Sequence, residues 1–340
     1  MKRIMIICGG QSPEHAISVR SCKNILQAID QNKYELVVVG ITKSGQWVVL
    51  DVSDISVEVV ANDRLVEIRP GQKDCFWENN TSLGFFDAVF PVLHGPNGED
   101  GSIQGLFKLL EVPFVGCDIL SSAVSMDKHF AKRLLQSEKV GVSRWVLIDK
   151  GNPEADYSLI SGDLGSILFV KPANMGSSVG VSRVSNQMEL DAAIKEAFLY
   201  DNRVLVEEQV VGKEVECAVL GNHNVVATGV GEVRSGNFYS YEEKYESSSV
   251  AEIDIPAKIE SEKVEKLRAI AVKSYKALGC CGLARVDMFL TEEGEIIVNE
   301  VNTMPGFTSI SMYPKLWEEE GLGYPELIDR LIELALEMGR

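Results

Sequence analysis

The stretch LARVDMFLTEEGEIIVNEVN, residues 283–302, decides how this chain is read. Two alternating apolar runs, Leu283 to Thr291 and Ile296 to Asn302, flank the turn Glu292-Glu293-Gly294-Glu295 and predict a β-hairpin. With Thr291 facing Ile296 across that turn, Asp287 falls opposite Glu300 and Arg285 opposite Asn302. Side chains alternate along a strand with a period of two, so all four point to one face. Carboxylates opposed across a sheet repel unless a cation lies between them, and two carboxylates with a carboxamide suit Mg²⁺. The competing reading is a solvated polar face with a single salt bridge. On the other face stand Val286, Met288, Ile297 and Val301, with Asn299 the one polar interruption.

Working outward, the chain opens with the apolar run Ile4 to Cys8 and turns at Gly9-Gly10. Such a run predicts a parallel strand covered on both faces, with a helix from about Ser18 to Asp30 and a strand over Tyr34 to Ile41 completing a βαβ unit. A further buried strand is predicted at Asp87 to Leu93, then a helix around Ser102 to Leu110 and a short strand Val112 to Val115. This first α/β domain ends near residue 120. Phe130, Leu134 and Leu135, interleaved with Lys128, Lys132 and Arg133, predict an amphipathic helix over Ser125 to Val140. Next come strands at Arg144 to Ile148, Ile167 to Lys171 and Val204 to Glu208, with a Gly/Ser loop from Asn174 to Gly180 and a helix from Met188 to Phe198. From Lys213 the pattern is antiparallel sheet, followed by a polar stretch at Ser235 to Val250, a helix at Ser261 to Leu278, the hairpin, and a closing helix near Pro325 to Glu337.

Composition narrows the function. The 340 residues suit two or three domains, and 33 basic against 50 acidic side chains give a net charge of −17. That charge repels nucleic-acid backbones and anionic membrane surfaces. The longest apolar run near the start, Ile4 to Cys8, falls far short of a signal sequence or a membrane span, so the protein is expected to stay in the cytoplasm. Seven cysteines, an odd number without a CxxC pair, read as reduced thiols.

Other local signals gather at predicted strand ends. Lys171 closes a strand and leads into Pro172-Ala173-Asn174-Met175-Gly176-Ser177-Ser178-Val179-Gly180, a loop able to offer backbone N–H groups to phosphate oxygens, although an ordinary hairpin loop fits the same pattern. Neither GxxxxGK[ST] nor GxGxxG is present. Glu207 and Glu208 end an apolar strand and Glu214 follows Gly212-Lys213; carboxylates at a strand end can accept from an adenine amino group or ribose hydroxyls, and Lys128 and Lys171 can hold phosphates as point charges. Glu14 stands beyond the first strand, where open α/β sheets place ligands, and can meet an ammonium or begin a helix. His94 follows a buried strand, as a binding group or a turn cap. The four histidines lack metal-type spacing, and no GxSxG elbow occurs.

Taken together, Gly9 to Ser18, Leu93 to Gly101, Met126-Asp127-Lys128, Lys171 to Gly180, Tyr241 to Tyr245, Arg285-Val286-Asp287 and above all Asn299 to Thr308, continuing to Pro314, resemble the ATP-grasp superfamily and, within it, the D-alanine–D-alanine ligases. The resemblance spans nearly the whole chain. It implies an α/β and α+β architecture, an N-terminal Rossmann-like parallel-sheet domain (1–121) followed by a two-part ATP-grasp fold (122–212 and 213–340). It implies ATP and Mg²⁺ as cofactors, with two ions and Mn²⁺ as a substitute, and a homodimer.

The resemblance also assigns roles. Asp287, Glu300 and Asn302 hold the metal, in agreement with the hairpin count. Lys128, Lys171 and Ser178 contact ATP phosphates, and Glu207, Glu208 and Glu214 lie along adenine and ribose. Glu14 meets the first D-alanine's ammonium, with Ser177 and Tyr245 in its hydrogen-bond group and His94 nearby. Arg285 and the Gly306 N–H stabilise an oxyanion, while Lys244, Ser311 and Met312 take the second D-alanine. The implied reaction joins two D-alanines through a D-alanyl phosphate, supplying a dipeptide for peptidoglycan. Two alternatives stand beside it: a related ligase joining D-alanine to D-serine or D-lactate, and a non-catalytic nucleotide-binding module.

Overall fold

Strand β1 (Lys2–Gly9) is buried from Ile4 to Cys8, as a strand covered on both faces must be. The computed structural model describes all residues except 53, 54, 56, 57, 235–251 and 340. Helix α1 (His15–Ala28) and β2 (Tyr34–Ile41) complete the first unit. β3 (Trp47–Leu50) follows, then a small antiparallel sheet of β4 (Val66–Ile68), β5 (Phe76–Glu78) and β6 (Thr81–Ser82), then β7 (Ala88–Pro91) and α2 (Ser102–Leu109). The main sheet runs β3-β2-β1-β7, with β2, β1 and β7 parallel and β3 antiparallel at the edge. Two expectations shift. The first helix begins at His15 rather than Ser18, and Val112 to Val115 makes only a parallel bridge of Phe114 to Val89, because Pro113 has no N–H for a ladder.

The single helix expected over 125–140 is two, α3 (Ile119–Met126) and α4 (Lys128–Ser137). Asp127 breaks them. Its carboxylate accepts from the N–H groups of His129 and Phe130, capping α4, and pairs with Arg203. Beyond lie β8 (Trp145–Asp149), α5 (Tyr157–Leu164), β9 (Leu168–Pro172), β10 (Ser182–Val184), α6 (Gln187–Ala197) and β11 (Arg203–Glu208). The strands form an antiparallel sheet in the order β10-β9-β11-β8. Its apolar face, including Leu168, Val170, Val204 and Val206, packs with Leu190 and Ile194 of α6.

The last third contains β12 (Lys213–Leu220), β13 (Val226–Arg234), β14 (Glu252–Asp254), α7 (Ser261–Ala277), β15 (Leu283–Leu290), β16 (Ile296–Asn302), α8 (Met312–Glu319) and α9 (Tyr324–Met338). The sheet order is β14-β13-β12-β15-β16, antiparallel throughout. Leu267, Ala271 and Tyr275 of α7 share a core with Val215, Val286, Met288 and Val298. The polar stretch expected at 235–250 lies outside the described residues. Helix α9 leaves this sheet: Leu327, Ile328, Leu331 and Ile332 join the core of Ile4, Ile6 and Phe90, under the N-terminal sheet. All seven cysteines are free. Among the described residues, no helix is long and apolar enough to cross a membrane.

Candidate active site

The β15–β16 ladder pairs Asp287 with Glu300 and Arg285 with Asn302, as expected. Near the turn the register differs by one: Leu290, not Thr291, pairs with Ile296, and Met288 pairs with Val298. The loop therefore includes Thr291, whose N–H bonds Glu295 O at 3.0 Å. A bulge between Asp287 and Met288 restores the pairing, leaving Asn299 as the extra residue. Val298 rather than Ile297 consequently faces the core beside Met288. The freed Asn299 approaches Lys171, Nζ to Oδ1 at 3.5 Å.

β12 adds a carboxylate that the hairpin alone does not reveal. Glu216 pairs in register with Asp287 and lies 2.9 Å from Arg285 Nε. Arg285 also donates from Nε and Nη2 to Asp287, each at 2.7 Å. Burial opposes its charge, but Asp287 and Glu216 more than offset that and hold its pKa well above the usual value. Glu214, two residues before Glu216, was legible as a strand acid; the same alternation marks Glu216.

Across from this sheet, Glu207 Oε2 receives Lys171 Nζ at 2.9 Å, Lys132 Nζ at 3.1 Å and Ser143 Oγ at 2.9 Å. Burial would raise this carboxyl, but Lys132 and Lys171 overcome it and hold it down to about 2. Burial pushes Lys132 down to about 8 against the pull of Glu207. Lys128 donates to Met175 O at 2.6 Å and lies 3.5 Å from Glu300. Glu208, on the alternate face of β11, is held by Arg144 through its backbone N–H (2.6 Å) and guanidinium (2.7 Å).

The Gly/Ser loop crosses toward the first sheet. Asp201 clamps its start through both the backbone and side-chain nitrogens of Asn174, each at 2.8 Å. Ser177 and Ser178 adopt left-handed backbone conformations, φ 51° and 61°. Ser177 Oγ donates to Glu14. Beside Glu14 lies Glu99, unread from the sequence, which accepts from Gly95 N–H (2.7 Å) and Met304 N–H (3.2 Å). Burial and the nearby Glu14 push its pKa well up.

His94 has both ring nitrogens engaged inside the protein. Nδ1 donates to Met304 O at 2.9 Å, which leaves Nε2 to accept from Ser21 Oγ at 3.1 Å, and Ser21 Oγ accepts from Phe307 N–H. Burial lowers its pKa to about 4. Gly306 is packed against Ser311, whose Oγ would lie 2.7 Å from any added Cβ. Ser311 Oγ in turn accepts from Thr308 N–H at 3.0 Å. The Met312 side chain is buried against Gly231 in the core, so only its backbone is available to a ligand. Lys244 and Tyr245 lie outside the described residues.

These groups surround two adjoining cavities. The larger, about 240 Å³, is lined by Lys171, Ser178, Glu207, Glu208, Glu214 and Asn299, among others. The smaller is lined by Glu14, Glu99, Ser177 and Asn302, and both cavities touch Lys128, Gly176 and Glu300. Two antiparallel sheets presenting lysines from one side and carboxylates from the other to a shared cleft define the ATP-grasp class.

Comparisons narrow the class. Residues 3–117 match the model of the D-Ala D-Ala ligase N-terminus and residues 134–333 that of its C-terminus. A D-alanine–D-alanine ligase A of Chromobacterium violaceum is 47% identical over 351 residues, covering 99% of this chain and 96% of the relative. The VanG D-Ala:D-Ser ligase structure from Enterococcus faecalis superimposes with TM-score 0.88 at 41% identity, covering 98% of this chain and 99% of that one. A Bacillus anthracis D-alanine–D-alanine ligase solved in complex with ATP gives TM-score 0.76 at 26% identity, covering 100% and 99%. The chain belongs to the D-alanine–D-alanine ligase family.

Proposed function

We propose that this protein joins two D-alanine molecules at the expense of ATP, releasing ADP and phosphate, and supplies the dipeptide for peptidoglycan precursors in the cytoplasm. The observation that carries the reading is the meeting of the two cavities at Lys128 and Glu300. That junction suits the transfer of a phosphoryl group from a nucleotide in the larger cavity to a carboxylate in the smaller. The division of the chain into 1–121, 122–212 and 213–340, and a homodimer, accompany the reading through the family likeness.

Each group has a task. Glu14, buttressed by Ser177, receives the first D-alanine's ammonium and leaves its carboxylate toward the junction. A carboxylate oxygen attacks the γ-phosphorus, the bond to the β-phosphate oxygen breaks, and ADP leaves. The second D-alanine's amine then attacks the acyl carbon; the carbon–oxygen bond to phosphate breaks, and phosphate departs with that oxygen and takes up the proton that the nitrogen loses. Arg285 and the Gly306 N–H stabilise the oxyanion between these events. Lys128, Lys171 and the Ser178 loop neutralise and enclose the phosphates, while Glu207, Glu208 and Glu214 line the nucleoside. Lys244, Ser311 and the Met312 backbone take the second carboxylate, Tyr245 joins the Glu14–Ser177 group, and His94 fixes the loop carrying Gly306.

Asp287, Glu300 and Asn302 fit a Mg²⁺ site, with two facing carboxylates and a carboxamide as hard oxygen donors, and room in that chemistry for two ions or for Mn²⁺. The metal supplies charge neutralisation at the phosphates. Phosphoryl transfer asks for positioning more than for a protein nucleophile, and holding two amino acids in line can lower the barrier by about 7–11 kcal/mol. A second reading, D-serine as the second amino acid, draws on the likeness to the Enterococcus faecalis enzyme. Phosphate release and product mass with ATP, Mg²⁺ and D-alanine, alongside D-serine, D-lactate and L-alanine, decide between them. Release that depends on D-alanine with the D-alanyl-D-alanine mass is expected; a predominant mixed product overturns the choice of second substrate.

A further inference from the structure

Lys132 is buried, with 2% of its side chain exposed, and it lines neither cavity. An unpaired ammonium in such a place costs several kcal/mol, so its partners explain its presence. They are Glu207 Oε2, Ser143 Oγ at 2.6 Å and Ser143 O at 3.3 Å, with the Trp145 ring 5.6 Å away. Lys132 lies one helical turn after Lys128 on α4, so the helix presents two lysines on one side. Lys128 reaches the cavities, and Lys132 reaches the carboxylate behind them.

The two oxygens of Glu207 are treated differently. Oε2 collects Lys132, Lys171 and Ser143, whereas Oε1 is buried and has no hydrogen-bond partner among the described residues. Buried acceptors rarely stay unpaired, and one left so on the wall of a cavity implies a ligand donor. Resting on the ATP reading above, we infer that Lys132 is a positioning residue for the purine: it locks Glu207 through Oε2, so that Oε1 is left to accept from the exocyclic amino group of adenine. Lys171 alone cannot do this, because its ammonium lines the cavity and is shared with Asn299. A base with a carbonyl at the same place would set oxygen against oxygen, so the locked carboxylate selects adenine over hypoxanthine.

Calorimetric titration of ADP and of IDP, whose base carries that carbonyl, tests the inference without requiring turnover. Lys132→Met keeps the volume and removes the charge; Lys132→Arg keeps the charge. Wild type should prefer ADP. Lys132→Met should weaken ADP about tenfold with little change for IDP, the scale of one charge-assisted hydrogen bond, and Lys132→Arg should recover part of the preference. In turnover assays the ATP KM should rise while the D-alanine KM stays unchanged. A Lys132→Met protein that keeps the wild-type preference, or loses both nucleotides equally, overturns the positioning role. Wild type that binds neither nucleotide overturns the ATP reading instead. If Lys132→Met does not fold, Ser143→Ala removes another donor from Oε2 and should shrink the preference in the same direction; an unchanged preference overturns the inference.

Discussion

At the residue scale, the site is organised by carboxylates whose charges are stabilised by different neighbours. Asp287 is held by Arg285, Glu207 by two lysines, and Glu300 by Lys128 at longer range. If Asp287 and Glu300 share Mg²⁺, Glu300→Gln should lower turnover about tenfold or more at limiting Mg²⁺, with partial recovery at high Mg²⁺. An Mg²⁺ titration identical to wild type would contradict the assignment. His94 makes a separate prediction about pH. Its pKa is about 4 when folded and 6.5 ordinarily, so between these values the unfolded chain binds the extra proton. Its share of stability is full above pH 6.5 and is lost as the pH falls to 4, amounting to about 3 kcal/mol. Thermal melts should show a shallower acid loss between pH 6.5 and 4 in His94→Gln than in wild type.

At the element scale, the hairpin shows both the reach and the limit of sequence reasoning. Alternation and the acidic turn place Asp287 opposite Glu300, yet the turn itself is one residue longer on the Thr291 side than expected. The bulge at Asn299 cancels the difference. A bulge leaves no clear signature in composition, so the pairing was legible and its route was not. Deleting Asn299 should leave Glu300 opposite Asp287 in an unbulged ladder but turn its side chain away from the aim the bulge gives it, and cost about 10²-fold or more in turnover, the penalty of misplacing a reacting group by an ångström. Circular dichroism should show the fold retained; full activity in the deleted protein would refute the bulge's role. Helix α4 shows a different limit. Periodicity marks which face carries Lys132, but not whether that face meets water or Glu207. Glu99 was likewise hidden, because its place depends on a loop reaching Met304, whereas alternation with Glu214 marks the face of Glu216 and only the pairing of distant strands brings it to Asp287.

At the scale of the whole molecule, the sequence announces the parallel N-terminal strands, the last antiparallel sheet and the order of segments, but not the antiparallel sense of the central sheet, the edge strand β3 or the small β4–β6 sheet. The destination of α9 is not announced: its apolar stripe says that it packs, and only the fold says that it packs beneath β1 and β7. The same first core includes Phe307, whose ring meets Phe90 edge-on at 5.9 Å, and whose N–H reaches Ser21. The loop carrying Gly306 is thereby fixed to the N-terminal sheet and to α1, which Glu14 begins. Leu331→Ala, at a fully buried position of α9, should cost about 2–5 kcal/mol in urea unfolding, with the N-terminal sheet and α9 lost in one transition. An early, separate loss of α9 would show that the shared core does not bind the two ends together.

If a D-alanine carboxylate accepts the phosphoryl group before the peptide bond forms, one of its oxygens must leave with the phosphate. That transfer is tested most directly with D-alanine labelled with ¹⁸O in both carboxylate oxygens, incubated with ATP, Mg²⁺ and the protein, followed by mass spectrometry of the released phosphate. Phosphate carrying a single ¹⁸O for each dipeptide formed is expected. Phosphate free of label, released together with D-alanyl-D-alanine, would contradict the transfer.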